Sequence, residues 1–223
     1  FLLLLCAVFS FTFFKTKKRI FIWSVLNVFA VACQAWLGSI VVSTNLTPWV
    51  ITIHMLLALV ILGISIYTYF KARSLRDKDL LINHTSSGIK WVAALSLLLI
   101  VVQVALGTTV REEIDLISAT NAPRSEWLGL LGRDFDIHRT LAIVTAIVIV
   151  FLFFVVRSRF APNTPQSRFT NWLLMLLVLQ VVSALILNYF NVPPFAQTAH
   201  LVLASLLFGA QYYLMLLLGR TAR

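Results

Sequence analysis

Long apolar blocks alternate along this chain with short segments that carry charge, proline or both. Six blocks contain 20 to 24 residues each and cover residues 20–43, 49–70, 91–110, 137–156, 171–190 and 196–218. A helix needs about 20 mainly apolar residues to cross the hydrocarbon core of a bilayer. Because a helix satisfies its own backbone hydrogen bonds inside lipid, each block is predicted to be a transmembrane helix. A shorter block, residues 1–14, is predicted to be a partial first helix.

The composition agrees with this pattern. Hydrophobic residues make up 60% of the 223 residues and charged residues only 12%, whereas soluble proteins carry roughly 25% charged residues. This balance excludes a water-soluble globular domain, a disordered chain and a disulfide-rich scaffold. The predicted fold class is therefore all-α: a polytopic transmembrane helix bundle with six full helices and a partial first one.

The charged residues are distributed unevenly between the loops. Fourteen of the 18 Lys and Arg residues fall within residues 15–19, 71–90, 157–168 and 220–223, whereas the intervening loops hold six of the eight acidic residues. Basic loops tend to stay on the cytoplasmic side, so these four segments are predicted to be cytoplasmic and the intervening loops external. Membrane orientation thereby explains the net charge of +10. The predicted partner is the lipid bilayer, and no nucleic acid is expected.

Three of the four histidines belong to an internal repeat. His54, His138 and His200 each begin the pattern His-x-x-Leu-Ala, and each lies in the first two turns of a helix that enters from the external side. Gln34 precedes His54 by 20 residues, and Gln180 precedes His200 by the same number. The two helical hairpins that contain these pairs are therefore interpreted as copies of one unit. The glutamines are interpreted as structural contacts that hydrogen-bond across helices.

The repeated histidines suggest a specific chemistry. Imidazole is a strong ligand for haem iron, and two imidazoles on neighbouring helices can fill both axial positions. The Leu and Ala of the repeat lie on the histidine's own helix face. A small alanine there leaves space for a flat macrocycle, although small residues also favour close helix packing in membranes. We therefore predict that His54, His138 and His200 are ligands of haem iron. His84 lies in a polar cytoplasmic loop outside the repeat and is predicted to be a solvated side chain.

Two arginines near the external helix ends are candidate partners for the carboxylates of a haem. Arg139 directly follows His138, and Arg111 lies at the end of the third full block. A guanidinium can pair with a carboxylate through two hydrogen bonds; for Arg139 the alternative is a side chain that extends to the lipid headgroups. The external loop between them is acidic. Its apolar run 127–131 is a candidate lid over the site, while ordinary solvation explains the acidic residues equally well.

The order of these motifs resembles the haem A synthase family. The resemblance rests on the repeated histidines, on the pattern Gln-x-x-Leu-Gly that begins at Gln34 and again at Gln103, on the exit through Arg111 into a long external loop, and on the re-entry at His138 and Arg139. It covers nearly the whole chain, from the second family helix to the eighth.

The resemblance implies an eight-helix membrane enzyme whose full-length form has two pseudo-symmetric four-helix halves. Residues 1–71 would then be the remainder of the N-terminal half, which holds the substrate haem. Residues 72–90 would be a cytoplasmic linker, and residues 91–223 the C-terminal half, which holds the cofactor haem. The implied location is the bacterial plasma (inner) membrane, with the histidine-bearing helix ends on the outer side.

The family's activity is the oxidation of the C8 methyl group of haem O to the formyl group of haem A, which terminal oxidases use. By resemblance, His138 and His200 hold a b-type haem as cofactor, and His54 is one ligand of the substrate haem. The second substrate-haem histidine and a catalytic glutamate are expected upstream of Phe1, so the chain alone would lack part of the active site. Expected partners are haem O, an unidentified electron donor, and, as further candidates, haem O synthase and terminal oxidase assembly factors.

Two other functions fit part of the same pattern. A di-haem b-type electron-transfer protein, similar to a quinol or ascorbate oxidoreductase, would use the same paired histidines without oxidising a substrate. A transporter with repeated halves would also place polar residues in its helices. Against the transporter, the ionisable residues lie near the outer surface, and broken helices are not evident from the sequence.

Overall fold

The computed structural model of the protein describes residues 2–11, 14, 18–44, 47–77 and 85–219. Throughout these residues the regular secondary structure is helical, without β-strands. The helices are α1 (Leu2–Ser10), α2 (Lys18–Ser43), α3 (Pro48–Arg76), α4 (Ser87–Ser118), α5 (Trp127–Leu130), α6 (Arg133–Arg159), α7 (Pro165–Tyr189) and α8 (Pro194–Gly219). Six of them, all except α1 and α5, are long and apolar enough to cross a membrane. The predicted all-α, multi-pass membrane fold is confirmed.

The helices extend beyond the apolar blocks that predict them. The clearest case is α4, which has 32 residues, whereas its apolar block has 20. At 1.5 Å per residue α4 is about 48 Å long, more than the roughly 30 Å of a hydrocarbon core. Hydrophobicity identifies only the part of a helix that can lie in the hydrocarbon core. The helix itself can continue into turns that carry charged residues. In the last turns of α4, Arg111 pairs with Asp115 across one helical turn, at 2.8 Å.

The chain forms two compact units, one within residues 1–83 and one within residues 84–219. The predicted linker 72–90 contains the last turn of α3 and the first turn of α4, and residues 78–84, with His84, lie outside the described residues. In the first unit α2 packs against both α1 and α3. Asn27 Nδ2 donates to Ser65 Oγ at 2.7 Å, which joins α2 and α3 into a hairpin.

The second unit is a ring of four long helices. α4 packs against α6 and α8, and α7 packs against the same two helices. The order around the ring is therefore α4, α6, α7, α8, so that α6 and α8 are diagonal to each other. We call the end at which α6 and α8 begin the histidine end of this unit, because it carries His138 and His200.

The most deeply buried core of the second unit lies away from the histidine end. It includes fully buried residues on α4, α6, α7 and α8: Ala93, Ser96, Ile149, Leu152, Val156, Ser167, Thr170, Leu173, Gln211, Leu214, Leu217 and Leu218. Gln211 is one of its polar members. Its Nε2 donates to the backbone oxygen of Ala93 at 2.8 Å and also contacts Ser96 Oγ, so it ties α8 to α4.

The loop that joins α7 to α8 closes the histidine end with an unusual backbone. Val192 has φ = 55°, a left-handed conformation that β-branched residues rarely adopt. Its side chain is only 2% exposed and packs with Trp127. Its N–H donates to the Leu187 oxygen at 3.0 Å, and its carbonyl accepts from Gln197 Nε2 at 2.9 Å. Burial and these hydrogen bonds together hold the strained residue in place.

Candidate functional site

The imidazole of His54 on α3 is held closely against α2. Gln34 Nε2 lies 3.1 Å from the ring Nε2 of His54 and 3.0 Å from its backbone oxygen. An amide nitrogen only donates, so the ring Nε2 accepts and the ring proton is on Nδ1. That Nδ1 is buried and has no hydrogen-bond partner among the described residues. A Cβ at Gly38, one turn along α2, would lie only 3.2 Å from Cε1 of the ring, so a glycine there permits the close approach.

His138 on α6 repeats much of this arrangement against α4. Gln103 Nε2 donates to the backbone oxygen of His138 at 3.2 Å. A Cβ at Gly107 would lie 3.5 Å from Cε1 of the His138 ring. Within the described part of the chain, Nδ1 of His138 is again buried without a hydrogen-bond partner. The motif Gln-x-x-Leu-Gly therefore has a structural meaning: its glutamine binds the histidine-bearing helix, and its glycine lies beside the ring, closely enough at Gly38 that a side chain would crowd it.

His200 on α8 has the most complete set of contacts. Gln180 Nε2 lies 3.1 Å from the ring Nε2, the same distance as in the Gln34–His54 pair. In addition, Ser183 Oγ lies 2.8 Å from the ring Nδ1. Both nitrogens of this imidazole are thus hydrogen-bonded to α7.

His138 and His200 lie on diagonal helices of the four-helix unit. His138 is the sixth residue of α6 and His200 the seventh of α8, so they lie about 8 and 9 Å along their helices from the first residue. Two of the three predicted iron ligands therefore lie near the same end of the four-helix unit, on diagonal helices. His54 belongs to the first unit.

Few residues near these two histidines are buried, apart from Ser183, which contacts His200. No residue is buried in four stretches around them, all fully described: 105–109 in α4, 133–144 in α6, 184–189 in α7 and 197–206 in α8. On one side of the two histidines is the dense core described above. On the other, at the histidine end, is a buried cluster of Val110, Ile114, Trp127 and Val192. The side chains beside the histidines are thus more exposed than those on either side of them.

The apolar run 127–131 folds back over the histidine end. Trp127 is 9% exposed and packs against α4, and its indole N–H donates to the Ala122 oxygen at 3.0 Å. The guanidinium of Arg124 stacks over the indole, 4.7 Å from the ring centroid. The fold-back was expected from the sequence; a lid function stays a prediction.

A polar cavity of about 330 Å³ opens at the histidine end, and its lining includes Arg111, Asp115, Arg124, Trp127, Gln197 and Thr198. Gln197 Oε1 is buried there without a hydrogen-bond partner among the described residues. Arg111 lies one turn beyond Gly107 on α4, and Gln197 lies about one turn before His200 on α8. The cavity is therefore one helical turn further toward the end of the bundle than the two imidazoles.

The two predicted carboxylate partners occupy different surroundings. Arg111 lines the cavity, and its guanidinium makes two contacts with Asp115, at 2.8 and 3.1 Å. Arg139 is not part of the cavity lining; its side chain is 63% exposed and contacts Asp136 at 3.2 Å. Arg124 lines the cavity beside Arg111 but was not predicted from the sequence. The only sequence signal for it was its position near Trp127 in the external loop.

The donor set suits a haem better than a bare metal ion. Among the described residues, no three His, Cys, Asp or Glu side chains cluster closely enough to hold a metal ion. A porphyrin supplies four nitrogens of its own, so its iron needs only axial ligands, and one imidazole on each side is sufficient. The placement of His138 and His200 near the same end of diagonal helices fits such a group, as does the Nδ1 of His138, which has no partner among the described residues.

Together the fold and the site define a multi-pass membrane protein with a pair of histidines near one end of a four-helix unit. The chain matches the model of the COX15-CtaA family, described as cytochrome oxidase assembly protein, over residues 1–212. It therefore belongs to this family, which confirms the resemblance to haem A synthases. A comparison with curated protein sequences finds no match.

Proposed function

We propose that this protein is a haem A synthase, a membrane oxidoreductase that converts the C8 methyl group of haem O to the formyl group of haem A for terminal oxidases. The observation that carries the proposal is the placement of His138 and His200 near the same end of two diagonal helices, with Nδ1 of His138 buried and unpartnered among the described residues. Membership of a cytochrome oxidase assembly family supports it.

In this proposal His138 and His200 hold a b-type haem through their ring nitrogens. When bound, that haem supplies reversible one-electron iron chemistry. The chain contributes the rest of the site: Gln103 and Gln180 hold the two histidine helices to their neighbours. The dense core closes one side of this site, and the Trp127 cluster covers part of the histidine end beside the polar cavity. Burial of this kind favours a stable redox centre, because a low dielectric limits solvent reorganisation.

His54 is proposed to bind the iron of the substrate, haem O. Its Nε2 accepts from Gln34, so this nitrogen carries a lone pair that can ligate iron once the amide moves away. Gly38 allows the ring edge to pack closely against α2. The catalytic residue that acts on the methyl group is not assigned among the described residues.

Arg111 is proposed to pair with a carboxylate of the cofactor haem, with Arg124 as an additional cation in the same cavity. Arg139 is the second proposed partner. For Arg111 to bind a carboxylate it has to exchange or share its contact with Asp115. The proposed setting is the bacterial plasma (inner) membrane, with the histidine end outward. The proposed partners are haem O, an electron donor, and haem O synthase or oxidase assembly factors.

The decisive experiment supplies haem O to membranes that contain the protein and analyses the extracted pigments. The expected result is haem A, identified by its mass, together with a low-spin b-type haem in the purified protein. His138→Ala is the matched control and should abolish both. Low-spin haem without conversion of haem O would favour a di-haem electron-transfer protein. A protein that purifies without any haem would overturn the assignment of the histidines as well.

A further inference from the structure

The helix that faces His200 departs from the glutamine motif of the other two helices. In α2 and α4 the residues three and four positions after the glutamine are Leu and Gly, as in Leu106 and Gly107 of α4. In α7 they are Ser183 and Ala184. Ser183 is only 5% exposed. Its hydroxyl contacts the histidine ring, whereas the leucine at the same position of the motif in α2 and α4 has no polar atom that could do so.

The hydrogen bonds around Ser183 define where each proton lies. Ser183 Oγ donates its only proton to the backbone oxygen of Gln180, at 2.8 Å. Toward His200 Nδ1, also at 2.8 Å, the oxygen must therefore accept, so Nδ1 carries the ring proton. The ring Nε2 is then unprotonated and accepts from Gln180 Nε2. Only one tautomer of His200 satisfies all three contacts.

The other two histidines have no such support. Nδ1 of His54 and Nδ1 of His138 are buried and have no hydrogen-bond partner in the described part of the chain. A metal-bound histidine usually donates its second ring nitrogen to an acceptor, which fixes the ring and raises its basicity as a ligand. Among the three repeated histidines, this arrangement is present for His200.

We infer that Ser183 is a positioning residue: it accepts a hydrogen bond from Nδ1–H of His200, orients the ring, and makes His200 the stronger electron donor of two unequal ligands. This inference deepens the proposed function and rests on it where haem is concerned. The hydrogen bond itself is a property of the chain and is testable without haem.

The first test uses haem-free protein that contains ¹⁵N-labelled histidine. The wild-type spectrum should show His200 with a protonated Nδ1 and an unprotonated Nε2. Ser183→Ala should shift the Nδ1–H signal of His200, because this proton loses its acceptor while Gln180 still contacts Nε2. Ser183→Thr, which keeps the hydroxyl, should restore the wild-type signal. Ser205→Ala is the matched control, because Ser205 Oγ donates to the Leu201 oxygen on the same helix as His200. Unchanged His200 signals in Ser183→Ala would overturn the inference.

The second test measures the midpoint potential of the bound haem. An acceptor on Nδ1–H increases electron donation to iron and stabilises the ferric state. Ser183→Ala should therefore raise the potential while the spectrum stays low-spin, and Ser183→Thr should return it toward the wild-type value. Leu106→Ser places a hydroxyl at the equivalent position opposite His138 and should lower the potential.

The two tests fail independently. If the wild-type protein binds no haem, the proposed function is wrong, yet the ¹⁵N spectra still decide the role of Ser183. If haem binds but its potential is the same in wild type, Ser183→Ala and Ser183→Thr, Ser183 has only a structural role.

Discussion

Gln180 and His200 are 20 residues apart in the sequence, and their side chains meet with 3.1 Å between the amide nitrogen and the ring Nε2. Gln34 and His54 have the same separation and the same distance. In each pair the glutamine occupies the ring nitrogen that an iron atom would need. Under the proposed function the glutamines would therefore compete with the metal as well as joining the helices.

Removing this competition should strengthen haem binding. In Gln180→Met the amide donor is lost while the length of the side chain is kept, and Ser183 still holds the His200 ring. A hydrogen bond of this kind contributes about 0.5–1.5 kcal/mol, so the affinity for haem should rise up to about tenfold. Haem titration of the haem-free protein measures this. A weaker affinity would mean that Gln180 positions the ring and does not compete for it.

Replacing single histidines should separate the two proposed haem sites. His138→Ala and His200→Ala should each abolish the low-spin spectrum of the cofactor haem, because each removes one of its two axial ligands. His54→Ala should keep that spectrum and lose the binding of haem O. His84→Ala serves as the control. Optical and electron paramagnetic resonance spectra of the four purified variants provide the comparison, and equal spectra for all four would contradict the assignment.

The two glycines beside histidines should respond differently to the addition of a methyl group. At Gly38 the new Cβ would lie 3.2 Å from Cε1 of His54, and at Gly107 it would lie 3.5 Å from Cε1 of His138. The first distance requires the ring to move, although Gln34 holds it, whereas the second is an ordinary contact. Gly38→Ala should weaken haem O binding several-fold, and Gly107→Ala should leave the cofactor haem spectrum unchanged. A larger loss of haem binding in Gly107→Ala than in Gly38→Ala would show that the histidine rings shift freely.

The two candidate arginines should differ in their effect on haem affinity. Arg111 lines the polar cavity at the histidine end, whereas the exposed side chain of Arg139 does not. Since a hydrogen bond to a charged group contributes about 1.5–3 kcal/mol, Arg111→Gln should weaken the binding of the cofactor haem about tenfold or more. Arg139→Gln should change it less than about twofold, as is usual for an exposed ion pair. Equilibrium haem titrations compare the two, and a larger effect for Arg139→Gln would place the carboxylates outside the cavity.

Gln211 offers a test of the core that does not depend on haem. Its amide ties α8 to α4 inside the fully buried core. Gln211→Leu should lower the free energy of unfolding by only about 1 kcal/mol, because hydrogen bonds between membrane helices contribute modestly. Gln211→Glu introduces an ionisable group at the same place and should cost about 3 kcal/mol. Unfolding in mixed detergent micelles measures both, and equal costs would show that the site is hydrated.

Much of the fold was predictable from the sequence because of the physics of the bilayer. Apolar blocks of about 20 residues have one stable conformation in lipid, so the six long helices follow from hydrophobicity alone. The ends of the helices do not, because a helix such as α4 continues into the charged region, where hydropathy carries no signal. The repeat of histidines and glutamines was visible as well, since both spacings are local in the sequence.

The tertiary structure decided which groups meet. The glutamines were interpreted as general contacts between helices, and only the packing of α2 on α3 and of α7 on α8 shows that their partners are the histidines. Ser183 could not be found from sequence, because a serine in a membrane helix usually bonds to its own backbone. Its second contact depends on how α7 and α8 are rotated against each other, which packing sets. In the same way, Arg111 and Arg124 line one cavity only because the external loop folds back onto α4. Hydropathy does not predict the conformation of that loop.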